Sequence, residues 1–238
     1  DLDLNKINKC KKRISKYNPK IQIGFNRRYD PAHNSLNHNL LKGKIGKLEK
    51  IIITSRDPEP PPINYLKTSG GIFKDMMIHD FDLARFYTGN DEFESIFATG
   101  QRFSDRRLKK INDLNLATVV MKTKKGVLCI ITNSRHCSFG YDQRIELFGS
   151  KGMIISDNQR DLETVLYSKN STDNKPQLKN FFIERYSDAY KIQLNDLVKI
   201  CKKNIRPLSG FEDGRKSLIL AETAKKSLKS KHFEKIRF

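Results

Sequence analysis

Residues 70–89 read Gly-Gly-Ile-Phe-Lys-Asp-Met-Met-Ile-His-Asp-Phe-Asp-Leu-Ala-Arg-Phe-Tyr-Thr-Gly. Two glycines open the stretch, one closes it, and the spacing between them predicts a single helix of about five turns. At about 100° per residue, Ile72, Phe73, Met76, Met77, Phe81, Leu83 and Ala84 cover roughly half its circumference, so the helix is expected to be mostly buried. Asp75, His79 and Asp82, spaced i+4 and i+3, fall on one arc about 60° wide. Ionisable groups on a buried helix cost several kcal/mol to desolvate unless paired or used. Burial and mutual charge also move their pKa values, which proton transfer requires. Spacing alone permits two readings: a His–Asp pair that caps a core, and a proton-handling site for a polar substrate. The glycine entrance, the third acid and a second polar cluster downstream favour the second.

Upstream, Asp1–Tyr17 spaces Leu4, Ile7, Cys10 and Ile14 as an amphipathic helix that Asn18-Pro19 stops. Ile21–Phe25 reads as a short strand ending in the polar loop Asn26–Pro31, the closing unit of a βα-type sheet whose earlier strands are missing from this chain. Pro31–Lys42 reads as a helix with Pro in its first turn and Gly43 past its end. Leu48–Arg56, with Ile51-Ile52-Ile53 at its centre, is a β-branched strand. Four prolines in residues 58–62 make a stiff extended loop, read as a linker, one wall of a substrate site or a contact to a partner subunit. Downstream, strands are expected at Phe93–Arg102, Ala117–Thr123, Val127–Ser134, Tyr141–Phe148 and Met153–Ser156, joined mostly by short turns. A further strand is expected at Thr164–Ser168, a mobile loop near 169–177, and helices over Tyr186–Lys203 and Gly210–Lys231. The fold class is α+β, an open, mainly antiparallel sheet with helices packed on one face.

The 238 residues, 37% hydrophobic and 31% charged with 14 Phe, suit a soluble globular chain with a substantial core. No apolar run approaches the roughly 18–20 residues needed to span a membrane. A formal net charge of +19 invites a nucleic-acid partner. The lysines, however, are spread over nearly every segment, with no aromatic-interleaved basic strip, so a general lysine bias is the better account and no specific nucleic acid is expected. Cys10, Cys129, Cys137 and Cys201 lack C-x-x-C spacing, which argues against zinc or redox motifs and for reduced thiols in a cytoplasm. No metal site is expected. The opening residues resemble neither a signal nor a transit peptide, and suggest a chain cut from something longer.

Several segments together resemble the Gfo/Idh/MocA oxidoreductases, in particular the inositol 2-dehydrogenase subgroup. They are Gly24-Phe25-Asn26-Arg27-Arg28-Tyr29-Asp30-Pro31, Ser55-Arg56-Asp57-Pro58, and Ser69-Gly70-Gly71 followed by Asp75, His79-Asp80 and Asp82. Asn133-Ser134-Arg135, Phe139-Gly140-Tyr141-Asp142-Gln143, Phe148-Gly149-Ser150-x-Gly152 and Glu184-Arg185-Tyr186-x-x-Ala189-Tyr190 continue the match over nearly the whole chain.

The resemblance implies a two-domain enzyme, with residues 1–26 as the remnant of an NAD-binding Rossmann domain, represented by its last helix and strand, and 27–238 as the C-terminal substrate and oligomerisation domain. It implies oxidation of a ring hydroxyl of myo-inositol or a related polyol, with NAD as hydride acceptor and NADP not excluded. His79 would be the acid/base, Asp75 would hold substrate or His79, and Asp82 and Tyr141 would bind hydroxyls. Arg28 would line the mouth of the site. A polyol needs several directional hydrogen-bonding groups, and imidazole offers a base with a pKa near neutrality. The family's G-x-G-x-x-G fingerprint occurs nowhere in the sequence. Its Glu-Lys-Pro motif would lie just before Asp1. The chain alone is therefore expected neither to bind NAD tightly nor to turn over substrate. A homo-oligomer through the sheet face is expected, and the alternative is an inactive truncated family member acting as an assembly domain.

Overall fold

The computed structural model describes residues 1–103 and 106–238. An amphipathic helix α1 (Leu4–Ile14), capped by the Asp3 carboxylate, leads through a 3-10 turn to an extended segment. Ile21–Phe25, expected as a strand, is extended but joins no sheet. Its backbone is tied instead to the C-terminal region, where Ile23 exchanges hydrogen bonds with the Ser209 carbonyl and hydroxyl. A strand needs a neighbouring ladder, and no described strand lies beside it.

A 3-10 turn at Asn26–Tyr29 precedes α2 (Pro31–Leu41), which the Asp30 carboxylate caps. β1 (Leu48–Arg56) follows, then the proline loop and α3 (Ile63–Leu66). The expected five-turn helix is two helices, α4 (Ile72–Asp75) and α5 (Ile78–Thr88). Between them the Met77 amide reaches the Ile72 carbonyl five residues back, a widened turn that offsets α5 from α4. The remaining elements are β2 (Phe93–Gln101), α6 (Arg106–Lys110), β3 (Leu116–Thr123), β4 (Leu128–Ser134), β5 (Asp142–Gly149), β6 (Gly152–Ser156), β7 (Leu166–Ser168), β8 (Ser171–Asn174), α7 (Phe182–Arg185), α8 (Ser187–Lys203), α9 (Phe211–Ser230) and β9 (Glu234–Lys235). β7 and β8 form a small hairpin across part of the segment expected to be a loop.

Seven strands make one open sheet in the order β6-β5-β1-β4-β3-β2-β9. Every pairing is antiparallel except β1 with β4, which run parallel at the centre. One face packs on α4, α5 and α9 through Ile51, Ile53, Val119, Met121, Ile131 and Leu147, all almost fully buried, against Met77, Phe81, Leu83 and Ala224. The other face stays open, and Leu128, Phe148, Met153 and Ile155 are exposed on its strands. The alternation of buried and exposed residues along β3 and β5 follows from the two-residue period of a strand covered on one side. No described helix is long and apolar enough to cross a membrane.

Register sets up the site. Ser55 of β1 lies opposite Asn133 of β4 on one side and Gln143 of β5 on the other. Three polar side chains thus stand in one buried row near the end of an otherwise apolar sheet face. Such a row persists only if it is hydrogen-bonded.

Candidate active site

A hollow of about 840 Å³ opens just past that polar row. Asp57, which follows β1, Arg135, which follows β4, and Tyr141, which precedes β5, line it together with Asp75 at the end of α4 and His79 in α5. Arg27 of the 3-10 turn, Tyr186 and Tyr190 at the start of α8, Tyr65 and the proline loop Pro58–Pro62 complete the wall. The proline loop thus lines this hollow.

Asp80, fully buried, is the anchor beneath. It accepts hydrogen bonds from Arg27 Nη1 (2.5 Å), Ser55 Oγ (2.8 Å) and Asn133 Nδ2 (2.7 Å). The Gln143 side-chain oxygen lies 3.2 Å from Ser55 Oγ and 3.3 Å from the Tyr186 hydroxyl that donates to it. Burial opposes the charge of Arg27, but Tyr186 and Asp80, with Tyr141 and Asp57, outweigh it and hold its pKa above the ordinary value. Arg27 also lies under the Tyr186 ring, 5.6 Å from its centroid.

Asp75 is gripped at both oxygens. The Tyr65 hydroxyl donates to Oδ1 at 2.5 Å and Arg135 Nη1 to Oδ2 at 2.9 Å. That hydrogen bond, followed by burial, pushes the Tyr65 phenol up to about 12. Asp75 forms no hydrogen bond to His79 among the described residues. His79 has Nδ1 buried without a partner, which leaves Nε2 as the nitrogen available to a molecule in the hollow. Burial, and then the charge of Arg27, lowers its pKa to about 3. That lies below the near-neutral value expected of imidazole from the sequence, and it keeps the ring neutral at pH 7. Asp57 makes no side-chain hydrogen bond among the described residues, and burial pushes its carboxyl up to about 6 against the pull of Arg27 and Arg135.

Two expected ligands lie outside the hollow. Arg28 and Asp82 form a buried bidentate pair, Nε to Oδ2 at 2.7 Å and Nη2 to Oδ1 at 2.6 Å. Arg28 also donates to the Leu208 carbonyl and to Asp213. In a three-residue-per-turn helix, neighbouring side chains point about 120° apart, so Arg27 takes the cavity side and Arg28 the opposite one. The turn at Met76–Met77 breaks the arc that would have aligned Asp82 with Asp75. The structure instead brings together Asp75, His79 and Tyr141 from the expected set, joined by Arg27, Asp57, Tyr65, Arg135 and Tyr186. Most of the latter lie in the quoted motifs; their signal was a charged or aromatic residue at the end of a strand or helix.

The hollow's charges are largely matched. Arg27 is neutralised by Asp80, and Arg135 by Asp75 with Asp113 at 3.5 Å. What it offers a ligand is hydroxyls, carboxylate oxygens and a neutral imidazole, a surface for uncharged alcohols and not for an anion. Among the described residues no group of three or more His, Cys, Asp or Glu side chains could hold a metal ion.

Residues 34–155 match the GFO/IDH/MocA C-terminal domain. Over 235 residues the chain is 42% identical to a myo-inositol 2-dehydrogenase from Thermotoga maritima, covering 99% of this chain and 70% of that protein. The structure resembles a myo-inositol dehydrogenase from Corynebacterium glutamicum with a TM-score of 0.96 at 39% identity, over 100% of this chain and 71% of the other. It also resembles a scyllo-inositol dehydrogenase from Lactobacillus casei with bound NAD(H) and scyllo-inositol, with a TM-score of 0.88 at 25% identity, over 98% and 70% of the two chains. The architecture, the polar row and the conjunction of Asp75 with His79 meet in one conclusion: this chain belongs to the GFO/IDH/MocA family of oxidoreductases.

Proposed function

We propose that this chain supplies the substrate side of an NAD-dependent inositol dehydrogenase, binding myo-inositol or a closely related polyol and taking the proton from the hydroxyl that becomes a ketone. The observation that carries the reading is a hollow whose guanidinium groups are already neutralised while Asp75, His79 and Tyr141 face inward. Ring hydroxyls would donate to Asp57 and Asp75 and accept from Tyr141. A secondary hydroxyl at His79 Nε2 meets a neutral imidazole free to accept its proton. A weak base suffices there, because a hydroxyl on a carbon being oxidised approaches a protonated ketone, which is strongly acidic.

The dinucleotide is a separate matter. The sequence has no G-x-G-x-x-G, and the Gly70-Gly71 turn leads into a single helical turn whose first amide is already taken by Asp113 Oδ1. The residues present do not fit that group, and we propose that residues 1–26 belong with a dinucleotide-binding domain while 27–238 form the substrate domain. The chain by itself should then bind NAD weakly and not turn over substrate.

NMR titration of the chain with myo-inositol tests the reading. Saturable shifts at His79 and Tyr141, weakened at least tenfold in His79→Ala and Asp75→Ala, support it. Equal affinity in both variants would sink the site assignment.

A second reading, an assembly domain, has its own observation in the exposed apolar face of the sheet at Leu128, Phe148, Met153 and Ile155. We propose that this face joins copies of the chain. The two readings are compatible.

A further inference from the structure

We propose that Arg135 and Asp113 are positioning residues that hold Asp75 in the wall of the hollow, an assignment that rests on the polyol reading of that hollow. The helix that carries Asp75, α4, is a single turn and too short to be stable by itself. It is stapled from outside at both ends. At its start the Ile72 amide, an orphan donor, bonds to Asp113 Oδ1 at 2.9 Å, a cap supplied from 41 residues away. At its end Asp75 Oδ2 accepts from Arg135 Nη1 at 2.9 Å. Arg135 Nη2 closes the loop on Asp113 Oδ2 at 3.5 Å. The arginine side chain is 1% exposed, and the ring of contacts runs Ile72 amide, Asp113, Arg135, Asp75. Gly71 leaves room for it: its φ is +83°, and a Cβ there would meet Asp113 Oδ1 at 2.9 Å. With Oδ2 committed to Arg135, the oxygen of Asp75 that faces partners in the hollow is Oδ1, now bonded to Tyr65.

The test separates positioning from simple structural support. Asp113→Asn keeps an oxygen for the Ile72 amide but removes the charge that faces Arg135, and Arg135→Lys keeps a charge that cannot reach both acids at once. The 13Cζ resonance of Tyr65 at pH 7, which reports its hydrogen bond to Asp75, needs no ligand. It should move toward the free-phenol position in both variants while the far-ultraviolet spectrum and the protection of the core strands stay as in the parent chain. Affinity for myo-inositol should fall roughly tenfold or more in Arg135→Lys. An unmoved Tyr65 resonance in both folded variants overturns the positioning role, whatever the affinities. A moved resonance in a chain whose parent binds no polyol keeps the staple and overturns the polyol reading. A moved resonance with unchanged polyol affinity overturns the claim that the staple serves binding.

Discussion

Replacing Asp80 with alanine should be among the most damaging single changes in this chain. The carboxylate is fully buried and accepts from three donors, of which Arg27 carries a charge and is 7% exposed at its side chain. Truncation leaves that guanidinium without its counter-charge, which costs about 3–5 kcal/mol where one partner of a buried pair is removed. Ser55 Oγ keeps the Gln143 oxygen at 3.2 Å and Asn133 Nδ2 keeps the Ser55 carbonyl at 3.4 Å, so neither is stranded and each adds little. Water entering from the hollow that Arg27 lines recovers part of the cost, so the net loss should be about 4 kcal/mol. That is a large share of the roughly 5–15 kcal/mol that holds a native domain together. In a chain of this size it corresponds to a fall in Tm of roughly 8–16 °C. Asp82→Ala is the internal comparison. It breaks a pair with better geometry, yet Arg28 keeps Asp213 at 3.0 Å and the Leu208 carbonyl at 2.6 Å, so its charge is not abandoned and about 2 kcal/mol should be lost. Urea unfolding of both variants, followed by tryptophan-free circular dichroism, reads the difference directly. Arg27→Met combined with Asp80→Ala should cost less than the two separate losses added, by more than about 1 kcal/mol. If Asp80→Ala costs no more than Asp82→Ala, the polar row is not anchored on Asp80 and the reasoning fails.

Three further outcomes are expected. His33 is almost fully buried, and burial, opposed by Asp30, lowers its pKa to about 3. The unfolded chain therefore binds a proton that the folded chain refuses between about pH 6.5 and 3, so stability falls as pH drops through that window. His33→Gln should soften the acid limb by a few kcal/mol, and superimposable limbs after normalisation at pH 7 would contradict the assignment. Asp57 has the opposite sign: with its carboxyl pushed up to about 6, the native chain holds the extra proton between about pH 4 and 6, and stability falls as pH rises. Asp57→Asn should gain about 1–2 kcal/mol at pH 7 and nothing at pH 4, while weakening myo-inositol binding; a pH-independent difference would speak against it. Met153→Glu with Ile155→Glu puts two charges on the open sheet face, where both residues are about half exposed. Light scattering should then report a smaller assembly than the parent chain forms at the same concentration, and an unchanged mass would exclude this face as the interface.

The limits of legibility in the sequence have specific physical causes. β1 was readable to the residue because a β-branched run bounded by Gly46 and the proline loop has one local solution. α2 was readable from Pro31 at its start and Gly43 past its end, and α8 and α9 from their apolar periods. Two kinds of information were not local. The break at Met76–Met77 adds one residue to a turn, and no residue there is a helix breaker; the contacts that hold the turn just before it, from Asp113 to Ile72 and from Arg135 to Asp75, come from another part of the chain. The extended segment at Ile21–Phe25 has strand composition, but a strand is a relation between two segments, and composition alone cannot supply the neighbour.

The choice between Arg27 and Arg28 shows why pairing matters more than proximity in a motif. Both are buried, both lie in the same short turn, and both salt-bridge to an aspartate of α5 two positions apart, Asp80 and Asp82. What separates them is the register of the sheet. Parallel pairing of β1 with β4 and antiparallel pairing of β1 with β5 bring Ser55, Asn133 and Gln143 side by side under Asp80 and nothing comparable under Asp82. A guanidinium fixed on that polar row can face the hollow while remaining neutralised from below. One fixed among Asp82, Asp213 and the face of Phe86 is enclosed on every side and can only hold α5 to the start of α9. The row is written at positions 55, 133 and 143, so only the folded topology brings it together, and it decides which arginine of an Arg-Arg pair lines the hollow.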